Sequence, residues 1–382
     1  MRLASAVVLT GLLLPLSPAR SQDDPEFDRI ALQGIEKVYN LEFGAADTLF
    51  RGLIASNPSH PAGYFFLAMV DWWRIMVDRE DTRYDDRFLE ALDHVVGMCD
   101  DLLDEDENDV DALFFKGGSL GFTGRLSFYR NDWFGAASAG RRALPLVQTA
   151  FAADPGNYDI YLGTGIYNYY ASVIPELYPV AKPLLLFIPP GDRETGLSQL
   201  RLAASKGKFA GVEARYFLIQ INLLYEKNYA EALSLSLELH ERFPRNMLFH
   251  RYVGRTYVMM SNYAMAREIF HEIVLRRKAE WPGYDIKLER EAEYYLGLCG
   301  LQTGSFATGI DHFIRSDRLS AIIDQDGPSA FMVLANLHLG KIYDAQDRRD
   351  MAIVQYEKVL EMTDYQDSRA QAKQFLQVPY TR

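Results

Sequence analysis

Five residues, Gly117-Gly118-Ser119-Leu120-Gly121, spell G-x-S-x-G. That spacing exposes a nucleophilic serine on a tight turn between a strand and a helix. The flanking sequence does not supply the strand. The approach from Val110 to Lys116 runs in a helical pattern that continues through Phe122, Leu126 and Phe128. Gly117, Gly121 and Gly124 then share one helical face, which suits a close helix crossing, so the motif reads as packing and predicts no catalytic residue. A second group is acidic, with eight Asp or Glu residues between positions 100 and 111. Asp104, Asp106 and Asn108 mimic the first three ligands of a calcium loop. Such a loop needs Gly at its sixth position and Glu at its twelfth, where this chain has Asp109 and Phe115. The run reads as a polar turn, with Asp109 or Asp111 capping the helix that follows.

The remaining candidates lead no further. The histidines are His60, His94, His240, His250, His271, His312 and His338, and none forms HExxH; they are expected at surface positions and helix turns. Gly163-Thr164-Gly165 lacks the third glycine, the lysine and the preceding strand of a phosphate loop. Arg276-Arg277-Lys278 ends a helical pattern, where cations complement the helix dipole. The sequence therefore predicts no cofactor, no metal ligand and no enzyme.

Composition agrees with a folded binding protein. The 382 residues are 48% hydrophobic and 24% charged, enough for a large core. The net charge of -12 argues against nucleic acid as a partner, because phosphate neutralisation needs a basic face. Residues 1–21 read as a secretory signal: Arg2, an apolar run over 3–16, and Ala19-Arg20-Ser21 as a small-x-small cleavage site before Gln22. No cysteine follows the apolar run, so a lipid-modified anchor is not expected. Export to a periplasm or envelope is. Cys99 and Cys299 lie 200 residues apart. Distant repeats of a solenoid rarely touch, so two buried thiols are expected rather than a disulfide.

The elements that position these residues repeat. Gly254, Tyr257, Ala266 and Phe270 recur as Gly340, Tyr343, Ala352 and Tyr356, with Gly297, Gly309 and Phe313 between them. The three leading glycines are 43 residues apart, which implies extended turns at 279–286 and 317–329. Looser copies begin at Gly34, with Ala46 and Phe50, and at Ala68. Further pairs cover 111–153, 158–205 and 212–243. Pro58, Pro155 and Pro244 sit where helices should end. This pattern resembles the tetratricopeptide-repeat superfamily over roughly 27–376, most clearly over 247–360. The resemblance implies an all-α, right-handed superhelical array of about seven to eight helix pairs, with a capping helix at 368–376. One such pair cannot bury its apolar stripe alone, and stacked neighbours bury it together. In the middle, Gly165-Ile166-Tyr167-Asn168, Ser172, Pro175 and Gly191-Asp192-Arg193-Glu194-Thr195-Gly196-Leu197 resemble the Iml2 and tetratricopeptide-39 family.

That middle stretch departs most from the repeat. Pro175, Pro179, Pro183, Pro189 and Pro190 forbid a continuous helix across 175–190. They bracket five apolar residues, Leu184, Leu185, Leu186, Phe187 and Ile188. The chain thus reads as one solenoid domain over 22–382 with a proline-rich apolar insertion at 173–191. Its expected role is that of a scaffold holding a peptide or protein partner in its concave groove, against Tyr161, Tyr167, Asn168 and Tyr170. The alternative is a membrane- or lipid-associated module that uses the apolar loop 184–188 for surface contact.

Overall fold

The computed structural model describes residues 25–177 and 189–381. The expected signal at 1–21 and the apolar loop 184–188 lie outside the described residues. Seventeen helices and no strand occur among those that are described. They form eight antiparallel pairs. These are α1 (Pro25–Tyr39) with α2 (Phe43–Ser56), α3 (Pro61–Val77) with α4 (Asp85–Glu105), and α5 (Val110–Tyr129) with α6 (Trp133–Ala153). Next come α7 (Ile160–Leu177) with α8 (Arg193–Lys206), α9 (Gly211–Leu224) with α10 (Tyr229–Arg242), and α11 (Met247–Met259) with α12 (Tyr263–Lys278). The last are α13 (Ile286–Thr303) with α14 (Phe306–Ile323) and α15 (Ala330–Ala345) with α16 (Arg349–Glu361), closed by α17 (Ser368–Gln377). The fold is an all-α superhelical array of tetratricopeptide-like pairs, and α17 ends it as a cap.

The glycine-to-aromatic spacing is what seats the two helices of a pair. A Cβ placed on Gly34, Gly254, Gly297 or Gly340 would lie 2.3 to 2.7 Å from the ring of Phe50, Phe270, Phe313 or Tyr356, sixteen residues later. Each ring fills the space its glycine leaves, and all four rings are fully buried. Helix starts are pinned by Asp and Asn. The side chains of Asp109, Asp132, Asp192 and Asp285 accept from backbone N–H groups of the first turn at 2.7 to 2.9 Å, each cap contributing about 1 kcal/mol. Asp109 thus has the capping role read from the acidic run. The turn before α5 also closes on itself, Asp106 accepting from the N–H of Asn108 at 3.0 Å.

Three expectations are corrected. Residues 173–177 belong to α7 and not to the insertion expected at 173–191, the helix running through Pro175 to Leu177; a proline this close to a helix end removes one backbone bond and spares the rest. The expected turn at 317–329 is shorter, because α14 runs on to Ile323. Distant repeats do touch. Trp73 on α3 lies 5.8 Å from the rings of both Tyr216 on α9 and Phe249 on α11. Tyr39 on α1 stands 5.4 Å from Phe243, and its carbonyl accepts from Asn246 Nδ2 at 2.8 Å. Lys287 on α13 pairs with Asp78 at 2.8 Å, across 209 residues of chain. The superhelix therefore curls until its first two pairs seal against its fifth to seventh. Cys99 and Cys299 are nevertheless free and buried, as read from their spacing. Burial pushes the thiols up, Cys99 to about 12 and Cys299 to about 11, which keeps both uncharged and unreactive.

Candidate functional site

The curl borders a half-open cavity of about 700 Å³. Its walls come from the first helices of five successive pairs, α1, α3, α5, α7 and α9, with α6 closing one side. Only the inner side of a superhelix brings those five helices to one space. The walls are mainly aromatic and aliphatic: Val38, Phe65, Met69 and Trp73 from the first pairs, Leu144 and Val147 from α6, Ile166 and Ile174 from α7. Glycine makes the room. Gly117, Gly118, Gly121, Gly124, Gly140 and Gly163 all line the cavity. Three of them also serve helix packing: a Cβ on Gly117 or Gly163 would reach Val147 at 2.8 or 3.0 Å, and one on Gly124 would reach Ala139 at 3.1 Å. Gly121 and Gly140 have open space where a Cβ would stand. The reading of Gly121 as a crossing residue is corrected: it faces the void.

Ser119 sits between these glycines on the other side of α5. It is fully buried, and its hydroxyl has no hydrogen-bond partner. No base approaches it, so G-x-S-x-G here is a helix-packing and cavity-making sequence. Ser119→Ala is expected to be neutral or to stabilise by up to about 1 kcal/mol, because it removes an unmade hydrogen bond from the core. Urea denaturation followed by far-UV circular dichroism checks this, and a clear loss of stability would show that the hydroxyl has a partner.

The polar part of the cavity is small and connected. Arg125 Nη1 on α5 donates to Glu213 Oε1 on α9 at 2.5 Å. Tyr39 Oη donates to Glu213 Oε2 at 3.3 Å. The Arg125 guanidinium also lies 4.8 Å from the ring of Trp72 and 4.4 Å from that of Phe217. Arg79, in the turn after α3, donates to Tyr216 Oη at 3.1 Å and covers the ring of Tyr129 at 4.5 Å. Burial raises the phenol of Tyr39 well above its ordinary value, and Glu213 adds to it, so Tyr39 remains a donor. Just before α9, Asp159 accepts from the backbone N–H groups of Phe209 and Ala210, both at 2.9 Å.

Of the tyrosines and asparagine expected in the groove, Tyr167 and Tyr170 line the cavity. Tyr167 Oη donates to the carbonyl of Pro189. Tyr161 and Asn168 point elsewhere. Tyr161 donates to the carbonyl of Pro155 at 2.9 Å and packs on Phe151; Asn168 Nδ2 donates to Gln199 Oε1 at 2.8 Å and ties α7 to α8. The conspicuous Gly-Asp-Arg-Glu-Thr-Gly-Leu sequence has a packing cause. A Cβ on Gly196 would lie 2.5 Å from the backbone N of Tyr169, Asp192 caps α8, and Arg193 Nε donates to Glu226 at 2.9 Å.

Sequence reading missed Arg79, Arg125 and Glu213. A signal existed for Arg125, which stands one helical turn after Gly121 within an otherwise apolar run. The turn after α5 was missed too: Phe128, Trp133 and Phe134 are exposed there, Phe134 at 78%, and Phe128 also lines the cavity. The histidines are corrected in part. His250 is fully buried and stacks on His240 at 4.2 Å. Burial pushes His240 down to about 4 and His250 to about 2, and Arg276 reinforces both shifts. Among the described residues no three His, Cys, Asp or Glu side chains gather as a metal site, and no helix is long and apolar enough to cross a membrane.

No protein-family model matches the chain, and no curated protein sequence matches it with significance. Solved structures do. Yeast Tom70 is similar at 12% identity and a TM-score of 0.38, over 94% of this chain and 89% of that one. A tetratricopeptide repeat protein from Parabacteroides merdae is similar at 12% identity and a TM-score of 0.30, over 93% and 98%. The P58(IPK) TPR domain is similar at 14% identity and a TM-score of 0.27, over 94% and 100%. None of these likenesses carries a function to this chain.

Proposed function

We propose that the protein is an exported, non-enzymatic scaffold that holds the apolar chain of a partner molecule inside its superhelix. The half-open, largely apolar cavity of about 700 Å³ supports this reading, since pockets of this size and lining are those that bury small apolar ligands. An extended peptide fits the cavity less well than the open groove read from the sequence. Each of its residues would bring an N–H and a C=O against walls whose polar groups are few. A protein partner suits the cavity if it inserts side chains and keeps its backbone outside. The leader-like segment 1–21 supports export, which N-terminal sequencing of material recovered outside the cytoplasm tests through a start at Gln22.

The cavity itself is tested by filling it. Gly121 is exposed to the void and has no atom within 4 Å of an added Cβ. Gly121→Trp is expected to keep the fold and to abolish binding of the uncharged probe phenylnaphthylamine, whose fluorescence rises in apolar surroundings. Wild-type protein is expected to bind it saturably. Equal binding by both proteins would place the probe elsewhere and overturn the reading.

A further inference from the structure

One cation in the cavity wall has no carboxylate partner among the described residues. At the end formed by α1, α3, α5 and α9, two guanidiniums, Arg79 and Arg125, face one carboxylate, Glu213. The other lining carboxylate, Asp159, is held by the backbone N–H groups of Phe209 and Ala210, just before α9. Among the described residues Arg79 has no carboxylate partner; its side chain bonds to Tyr216 Oη. Arg125 Nη2 is buried with no acceptor. Tyr129 stands beside both cations, Arg79 at 4.5 Å and Arg125 at 5.9 Å from its ring. Burial pushes the Tyr129 phenol up, but Arg125 and Arg79 together outweigh it and leave it below its ordinary value, as an excess of positive potential requires. An uncompensated cation in a desolvated wall calls for an anion. A single guanidinium without a carboxylate partner suits a monoanion, and its fork matches a carboxylate.

We propose that the cavity binds a long-chain carboxylic acid as its anion, with the carboxylate on Arg79, beside Arg125, and the acyl chain along the apolar walls toward α6 and α7. This rests on the reading of the cavity as an apolar-ligand site and adds the ligand's head group. The aromatic rings around Arg125 hold its guanidinium in place whether or not a ligand is bound.

The test is a fluorescence titration of the full chain, stripped of lipid on a hydrophobic resin, with cis-parinaric acid, followed by competition with oleic acid and with methyl oleate. Saturable one-site binding is expected, with methyl oleate competing about tenfold or more weakly, the loss of a hydrogen bond to a charged group. Arg79→Gln leaves the Arg125–Glu213 pair in place. It is expected to weaken oleate about tenfold and to leave methyl oleate unchanged. If that variant fails to fold, the oleate-to-ester ratio on wild-type protein decides alone. Equal competition by acid and ester overturns the head-group assignment and leaves the apolar cavity standing. Binding of neither overturns both. Lysophosphatidic acid competing far better than oleate would replace the carboxylate with a phosphate and overturn the proposal as stated.

Discussion

Trp73→Ala is expected to cost about 3–5 kcal/mol, the range for emptying a buried tryptophan site. Trp73 is 2% exposed. Its ring touches Tyr39 at 4.8 Å and both Tyr216 and Phe249 at 5.8 Å. It joins the second pair of helices to the fifth and sixth, and it lines the cavity. Its loss therefore acts twice, on core packing and on the seam that closes the superhelix. Urea denaturation should show the lower stability, and the phenylnaphthylamine titration should show weaker binding. A variant of unchanged stability would mean that the second pair does not meet the fifth and sixth in solution.

Glu291→Ala is expected to cost about 3 kcal/mol or more, by leaving buried cations without their anion. Glu291 is 3% exposed on α13. Both its oxygens accept from Arg255 on α11, at 2.5 and 2.7 Å, and Arg251 lies at 3.6 Å. Burial pushes the Glu291 carboxyl up, but Arg255 and Arg251 outweigh it and hold it below its ordinary value of 4.5. A depressed carboxyl contributes stability that is present above the unfolded value and lost as the pH falls through the folded one. Wild-type protein should therefore lose stability below pH 4.5, and the variant should lose less over that range. Unfolding midpoints measured across acidic pH check both. Parallel pH profiles for the two proteins would assign the acid sensitivity to other groups.

The repeat was legible because its signal is local. A glycine and an aromatic sixteen residues apart are two halves of one helix pair, so Gly254 with Phe270 and Gly340 with Tyr356 announce the crossing before any coordinates. Turn chemistry is local as well, and Asp109, Asp192 and Asp285 cap helices where the pattern places helix starts. The buried charges were not legible. Arg290, Glu291 and Glu293 fall within one turn of α13, a charge pattern that suits a solvated face, yet all three are buried, because α13 packs against α12, α14 and α15. Glu213 is hidden in the same way on α9.

The G-x-S-x-G run shows how the two levels divide. The sequence alone determined that it lies in a helix, that Ser119 has no catalytic context, and that the chain is built of helix pairs too small to bury themselves. It could not determine where Gly121 points. The curvature of a solenoid sums small rotations over many repeats, and no short stretch encodes that sum. Only the tertiary structure brings Trp73 to Phe249 and Arg125 to Glu213. That closure, formed across more than eighty residues of chain in each case, turns a groove into a cavity and sets Arg79 in its wall with a tyrosine hydroxyl as its side-chain partner.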